Sequence, residues 1–244
     1  MIEVEGLHKV YGDIVAVEEL TFAVGAGEVV GLVGPNGAGK STTLRALAGI
    51  VVPTRGRIRI AGHDLGAAPV AAKSELAFVP DEPHLFEYLT VVEHLRFTAR
   101  LYRVLDVEDQ IPALLGELEL QSKRDALPGE LSRGMRQKLA MGCALLHRPA
   151  AMLLDEPLTG LDPSGMRKMT STIRQRAAAG TAILLSSHLL QLVEAICTRV
   201  VVMRHGRAVA SGSMADIVRE RPDLAGRSLE ELFLALVSDD APGA

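Results

Sequence analysis

Nine consecutive residues, Gly34-Pro35-Asn36-Gly37-Ala38-Gly39-Lys40-Ser41-Thr42, combine three glycines with a lysine and two hydroxyls. Such a segment can surround a polyphosphate. Its glycines let successive backbone N–H groups converge on phosphate oxygens, Lys40 supplies a cation for the terminal phosphates, and Ser41 offers a hydroxyl to a bridging Mg²⁺. An apolar run at 29–33 precedes the segment and a helical stretch at 44–48 follows it, which is the strand-loop-helix context that phosphate binding at a helix N-terminus requires. A second constellation is the adjacent acids Asp155 and Glu156, which close the apolar run Ala151-Met152-Leu153-Leu154. Alternation at a strand end sends neighbouring side chains apart, so Asp155 can face a metal while Glu156 faces an attacking water. Taken singly, the first is a Gly-rich turn and the second the polar start of a loop. Together they specify nucleotide binding and phosphoryl chemistry.

These groups need rigid supports, and the hydrophobic pattern predicts them. Apolar runs rich in Val, Ile and Leu at 29–33, 77–79, 151–154, 182–185 and 200–203 are separated by helical periodicity. That is the pattern of an α/β fold whose largely parallel sheet is covered on both faces. The first sixty residues read differently, with alternation at 2–5 and 58–60 and Gly and Pro punctuation, so an antiparallel β subdomain is expected beside the core. Between 85 and 129 the pattern is helical, with Val91, Val92, Leu95, Phe97 and Leu101, then Ile111, Leu114, Leu115 and Leu118, on repeating faces. We therefore expect one unit with two lobes, an ATPase-type core of 1–84 and 130–244 and an inserted α-helical subdomain of 85–129. Ser228-Leu229-Glu230-Glu231 forms a capping box that opens an amphipathic helix over 228–237, with Leu229, Leu232, Phe233 and Leu236 on one stripe. The tail 239–244 is expected to fray.

Composition narrows the function further. Across 244 residues, 48% hydrophobic content supplies a sizeable core, and a net charge of -4 lacks the positive excess that draws a nucleic-acid backbone. Nucleic acid is not an expected partner. The longest apolar stretches, at 29–33 and 200–203, fall far short of a membrane span, and the acidic, alternating start Met1-Ile2-Glu3-Val4-Glu5 is unlike a secretory signal. A cytoplasmic location is expected. Cys143 and Cys197 each lack a nearby second cysteine and read as free thiols packed among apolar neighbours.

With these residues in view, the chain resembles the ABC ATPase family over nearly its whole length. Leu131-Ser132-Arg133-Gly134-Met135 stands where the family's signature sequence belongs, and further matches are Tyr11, Leu161-Asp162 and His188. The resemblance implies ATP and Mg²⁺ as cofactors, Ser41 and Asp155 on the metal, Glu156 and His188 with Lys40 as the hydrolytic groups, and Tyr11 stacked on adenine. It further implies that Ser132 and the backbone of Gly134 bind the γ-phosphate of a nucleotide held by a second copy, so that two chains meet head to tail. Asp162 lies in the segment that reaches across such a dimer, and its position before Pro163 also suits a helix N-cap.

Two departures from the family pattern stand out. Asp81 occupies the place of a usual Gln, which makes it a candidate metal ligand that brings a formal charge near an anionic nucleotide. In the signature, Arg133 and Met135 replace the first Gly and the Gln of Leu-Ser-Gly-Gly-Gln, and Arg133 is expected to restore charge complementarity. The segment 82–96 resembles the groove that receives a helix from a transmembrane permease subunit, and the ending 228–234 resembles that of ATPases serving drug, lipid and polysaccharide exporters. The expectation is the ATP-hydrolysing subunit of an exporter, working as a homodimer because one chain holds every half-site for two symmetric sites, with a heterodimer as the alternative, and peripheral on the inner face of the cell membrane. The alternatives are a soluble ABC ATPase of iron–sulfur assembly, ribosomes or DNA, and a small-molecule kinase, which would leave Ser132, Gly134 and His188 without purpose.

Overall fold

The computed structural model describes residues 1–238, and the tail 239–244, expected to fray, lies outside the described residues. In chain order the strands are β1 (Ile2–Tyr11), β2 (Ile14–Val24), β3 (Val29–Val33), β4 (Arg55–Ile60), β5 (His63–Asp64), β6 (Leu76–Val79), β7 (Ala151–Asp155), β8 (Ala182–Ser186), β9 (Arg199–Arg204) and β10 (Arg207–Gly212). The helices are α1 (Lys40–Leu47), α2 (Pro69–Ser74), α3 (Val91–Leu101), α4 (Val107–Glu117), α5 (Arg133–Leu146), α6 (Pro163–Ala178), α7 (Leu190–Ile196), α8 (Met214–Glu220) and α9 (Leu229–Ser238). One sheet is antiparallel, in the order β2-β1-β4-β5, and the other runs β10-β9-β3-β8-β7-β6. All neighbours in the second sheet are parallel except the antiparallel edge pair of β10 with β9.

The uninterrupted apolar runs follow from burial on both faces of this sheet. Val30, Leu32, Leu153, Leu184, Val201 and Met203 pack with Ile2, Val4, Leu7 and Leu20 of the antiparallel sheet and with Leu44 and Leu47 of α1. The intervening residues Val29, Val33, Met152, Leu154, Ile183, Leu185, Val200 and Val202 belong to the core beneath the helices. A polar residue at any of these positions would meet one apolar layer or the other. β10 escapes the apolar pattern because its edge position leaves Arg207, Ala208 and Val209 exposed.

The helical lobe departs from expectation on the face of α3. Thr90 and Glu93 cap α3 reciprocally, and its buried face is Val91, Val92, Leu95 and Ala99, whereas Phe97 and Leu101 are exposed. At 3.6 residues per turn Phe97 stands about 200° around the helix from Leu95, and the small Ala99 takes the inward position instead. Phe97 meets Phe86 edge-on, with ring centroids 5.1 Å apart. The lobe is joined to the core through α5, which lies directly on it. A Cβ added at Gly142 would stand 2.8 Å from Leu118 and 3.4 Å from Leu95, and one apolar cluster joins α3, α4 and α5 to the sheet.

At the other end, Ser228 and Glu231 exchange backbone and side-chain bonds at the start of α9, and Leu229, Leu232 and Leu236 are buried. Burial pushes the Cys143 thiol up to about 11 and the Cys197 thiol up to about 12, so both remain protonated packing groups.

Candidate functional site

β3 delivers its loop at the carboxyl edge of the parallel sheet, and α1 begins at Lys40. Gly39 has φ 101°, and a Cβ there would strike the Ala16 carbonyl, so the position admits only glycine. A Cβ on Gly34 would come within 2.5 Å of the Met203 carbonyl. The loop is thus wedged between the start of β2 and the end of β9. The turn joining β9 to β10 completes the brace, since Gly206 donates its N–H to Ala38 O at 3.1 Å and accepts from Glu18 N at 2.8 Å. Inside the loop, Lys40 Nζ donates to Gly34 O at 2.7 Å and Pro35 O at 3.1 Å. Burial lowers the pKa of this ammonium, while the carboxylates of Glu156 and Asp155 act to raise it.

The acidic pair sits two strands away in the sheet. β7 and β8 pair so that Asp155 lies opposite Ser186, and Ser186 Oγ donates to Asp155 Oδ1 at 2.5 Å. Both residues are buried. Simple strand alternation was expected to separate the two acids, but the backbone does it by leaving the strand: Glu156 takes φ 50°, in the left-handed region. Its amide is held by the Ser186 carbonyl and hydroxyl, each at 3.2 Å. Glu156 Oε2 in turn accepts from His188 Nδ1 at 2.8 Å and from His188 N at 3.3 Å. A carboxylate paired with Nδ1 leaves Nε2 as the free ring nitrogen.

Ser41, Arg45, Asp81 and Asp155 line one cavity of about 860 Å³, which continues past Phe78 toward Phe86, His94 and Phe97. The Ser41 hydroxyl and Asp155 carboxylate are hard oxygen donors suited to Mg²⁺, which habitually completes its shell with phosphate oxygens and water. Among the described residues no three His, Cys, Asp or Glu side chains gather in one group. Asp81, also expected as a metal ligand, has its Oδ1 on Arg133 NH2 at 2.9 Å.

The other expected site residues stand apart from that cavity. Ser132 is exposed and caps α5, accepting from Met135 N at 3.2 Å. Gly134, expected to offer its backbone, is buried, and a Cβ there would lie 2.6 Å from the Gly160 carbonyl. Close packing inside this chain therefore accounts for the glycine. Asp162 Oδ1 accepts from Gly165 N at 2.8 Å, which is the N-cap of α6. Tyr11 ends β1 with its ring exposed and Lys9 Nζ 4.7 Å from its centroid. Sequence reading missed Ser186, Gly206 and Gln137, whose Nε2 donates to Pro80 O at 3.4 Å. Ser186 carried a signal, a hydroxyl closing an apolar run whose neighbour closes with an acid.

A family model described as ABC transporter matches residues 17–159. A Nod factor export ATP-binding protein I from Rhizobium sp. (strain N33) is 38% identical over 221 residues, which is 90% of this chain and 73% of that protein. The ABC-type transporter ATP-binding protein EcsA of Bacillus subtilis (strain 168) is 32% identical over 243 residues, 99% of this chain and 98% of the relative. A solved structure described as the ATP binding subunit of an ABC transporter has a TM-score of 0.92 at 38% identity, covering 97% of this chain and 99% of its own. A dimeric ATP-binding cassette in a post-hydrolysis state, bound to ADP and Pi, shares the fold at a TM-score of 0.81 and 22% identity, over 88% of this chain and 99% of that one.

Proposed function

The chain belongs to the ABC transporter family as an ATP-binding, ATP-hydrolysing subunit, and from that premise we propose that it drives export through a separate transmembrane permease, working as a pair of copies on the inner face of the cell membrane. The export direction is supported by a relative named for Nod factor export. No helix among the described residues is long and apolar enough to cross a membrane, which suits a division of labour between two polypeptides. Pairing of copies is supported by the exposed Ser132 at the start of α5, whose N-terminal N–H groups can meet an anion from outside the chain. Asp162 orders the start of α6 beside it and lies in the segment that would face the partner.

The observation that carries the hydrolytic reading is the Glu156–His188 pair placed at the sheet edge next to the phosphate loop. Glu156 acts as the general base on the attacking water. His188 keeps that carboxylate aimed through two bonds to one oxygen, and its Nε2, when protonated, donates to the γ-phosphate. Lys40 exchanges the carbonyls of Gly34 and Pro35 for the oxygens of the terminal phosphates, and the backbone of 34–42 cradles them. Ser41 and Asp155 would hold Mg²⁺, which supplies positive charge to the β- and γ-phosphates. Tyr11, exposed on the hairpin that abuts Gly39, stacks on the adenine.

The test is Glu156→Gln. It should keep the wild-type rank order of nucleotide affinities while single-turnover hydrolysis slows about 10²- to 10⁴-fold, the range of general-base assistance. Hydrolysis at the wild-type rate would remove Glu156 from the mechanism.

A further inference from the structure

The two departures from the family pattern meet in space. Asp81 follows β6 and Arg133 opens α5, yet Arg133 NH2 lies 2.9 Å from Asp81 Oδ1, with both side chains close to half exposed. One turn further along α5, the buried Gln137 reaches Pro80 O. Side chains four apart on a helix share a face, so α5 grips two consecutive residues of the junction. The arginine is itself supported from below, because a Cβ added at Gly160 would stand 3.1 Å from both Arg133 Cγ and Cδ. Its aliphatic stem therefore lies on the segment between Glu156 and Asp162.

The electrostatic setting gives this contact a purpose. Asp81 lines the cavity shared by Ser41 and Asp155, and Glu82 is its neighbour in the same wall. A triphosphate entering there meets several carboxylates, with Lys40 and Arg45 as the nearby cations. An extra unpaired acid at that rim would repel the ligand, and the repulsion would grow with the ligand's charge. Resting on the nucleotide reading above, we propose that Arg133 is a positioning residue for nucleotide binding, which neutralises Asp81 and holds it against α5 so that the cavity tolerates an acid at its rim.

The proposal can be tested by titrating ATP, ADP and AMP into full-length wild type, Arg133→Ala, Arg133→Lys, Asp81→Asn and the double variant Arg133→Ala with Asp81→Asn. Titrations are run with Mg²⁺ and again with the metal chelated, and thermal midpoints confirm folding. Arg133→Ala should weaken ATP by about tenfold, ADP by less and AMP least, as expected for a charge effect that salt screens. Arg133→Lys should retain most of the affinity. Asp81→Asn alone should tighten ATP by about twofold, and the double variant should recover most of what Arg133→Ala loses, since the acid it shielded is gone. Equal losses on removing Arg133 with and without Asp81 would overturn the proposal, as would a loss identical for ATP and AMP. Should Arg133→Ala fail to fold, Arg133→Gln, which also removes the charge, takes its place alone and combined with Asp81→Asn. A folded wild type that binds no ATP would instead sink the nucleotide reading itself.

Discussion

At the carboxyl edge of β3, β7 and β8 most of the chemical groups lean on buried backbone or a buried partner, the exception being the Glu156 carboxylate, which meets the exposed His188. Asp155 is held by Ser186, Glu156 by the Ser186 backbone and by His188, and the phosphate loop by the carbonyls of Ala16 and Met203. The junction between the lobes is made differently. Asp81 is held through one exposed ion pair, Phe86 and Tyr88 are 55% and 90% exposed, and the segment is anchored where Phe86 N donates to His94 Nε2 at 3.0 Å. Groups that do chemistry gain from being fixed before substrate arrives. If the junction passes nucleotide state to the proposed permease, contacts weak enough to exchange serve that role, and exposed ion pairs are of that kind.

Removing Lys40 attacks the rigid side of this contrast and should give the largest effect. Lys40→Ala deletes a charge-assisted donor from the loop, and such bonds are worth about 1.5–3 kcal/mol, so ATP affinity should fall by about 10- to 100-fold in calorimetric titration. Wild-type affinity would show that the loop's backbone alone does the binding. Ser186→Ala tests whether the acid depends on its neighbour. With a buried carboxylate left short of a donor, unfolding free energy measured in urea should drop by about 1–3 kcal/mol, and an unchanged midpoint would mean that Asp155 is anchored by something else. The smallest stability effect is expected on the junction. Replacing Phe86 and Tyr88 together by Ser should cost about 1 kcal/mol or less, mainly the edge-on contact with Phe97, and should leave ATP titrations unaltered while releasing the chain from washed membranes of its source cell. A doubly substituted chain that stays membrane-bound would place the permease contact on another surface.

The same contrast explains what could be read from the sequence. The phosphate loop and the acidic pair were legible because their groups are adjacent in the chain, and the strands carrying them are apolar on both faces. Asp162 as an N-cap was legible for the same reason, its partner being three residues away. Arg133 and Asp81 are 52 residues apart, and each was noticed as a departure without any indication that they touch. Ser186 required the register of β7 against β8, which no local pattern encodes. The face of α3 was misread because Phe97 outweighs Ala99 in hydrophobicity, although helical phase puts the small residue inside. The packing of Gly134 against the Gly160 carbonyl was hidden likewise, because the two glycines lie far apart in the chain.

The turn between β9 and β10 has a consequence for anyone who wishes to modify this protein. His205 and Gly206 both have positive φ, as a two-residue hairpin linking Arg204 to Arg207 requires. A tight polar turn at a sheet edge is ordinarily a favoured place to splice in an epitope tag, a fluorescent reporter or new chain termini. Here the turn's glycine is bonded to Ala38 on one side and Glu18 on the other, so the hairpin tip forms the back wall of the phosphate loop. A graft at that tip would loosen the nucleotide cradle from behind while leaving every residue inside it intact, and the damage would pass for a defect in catalysis.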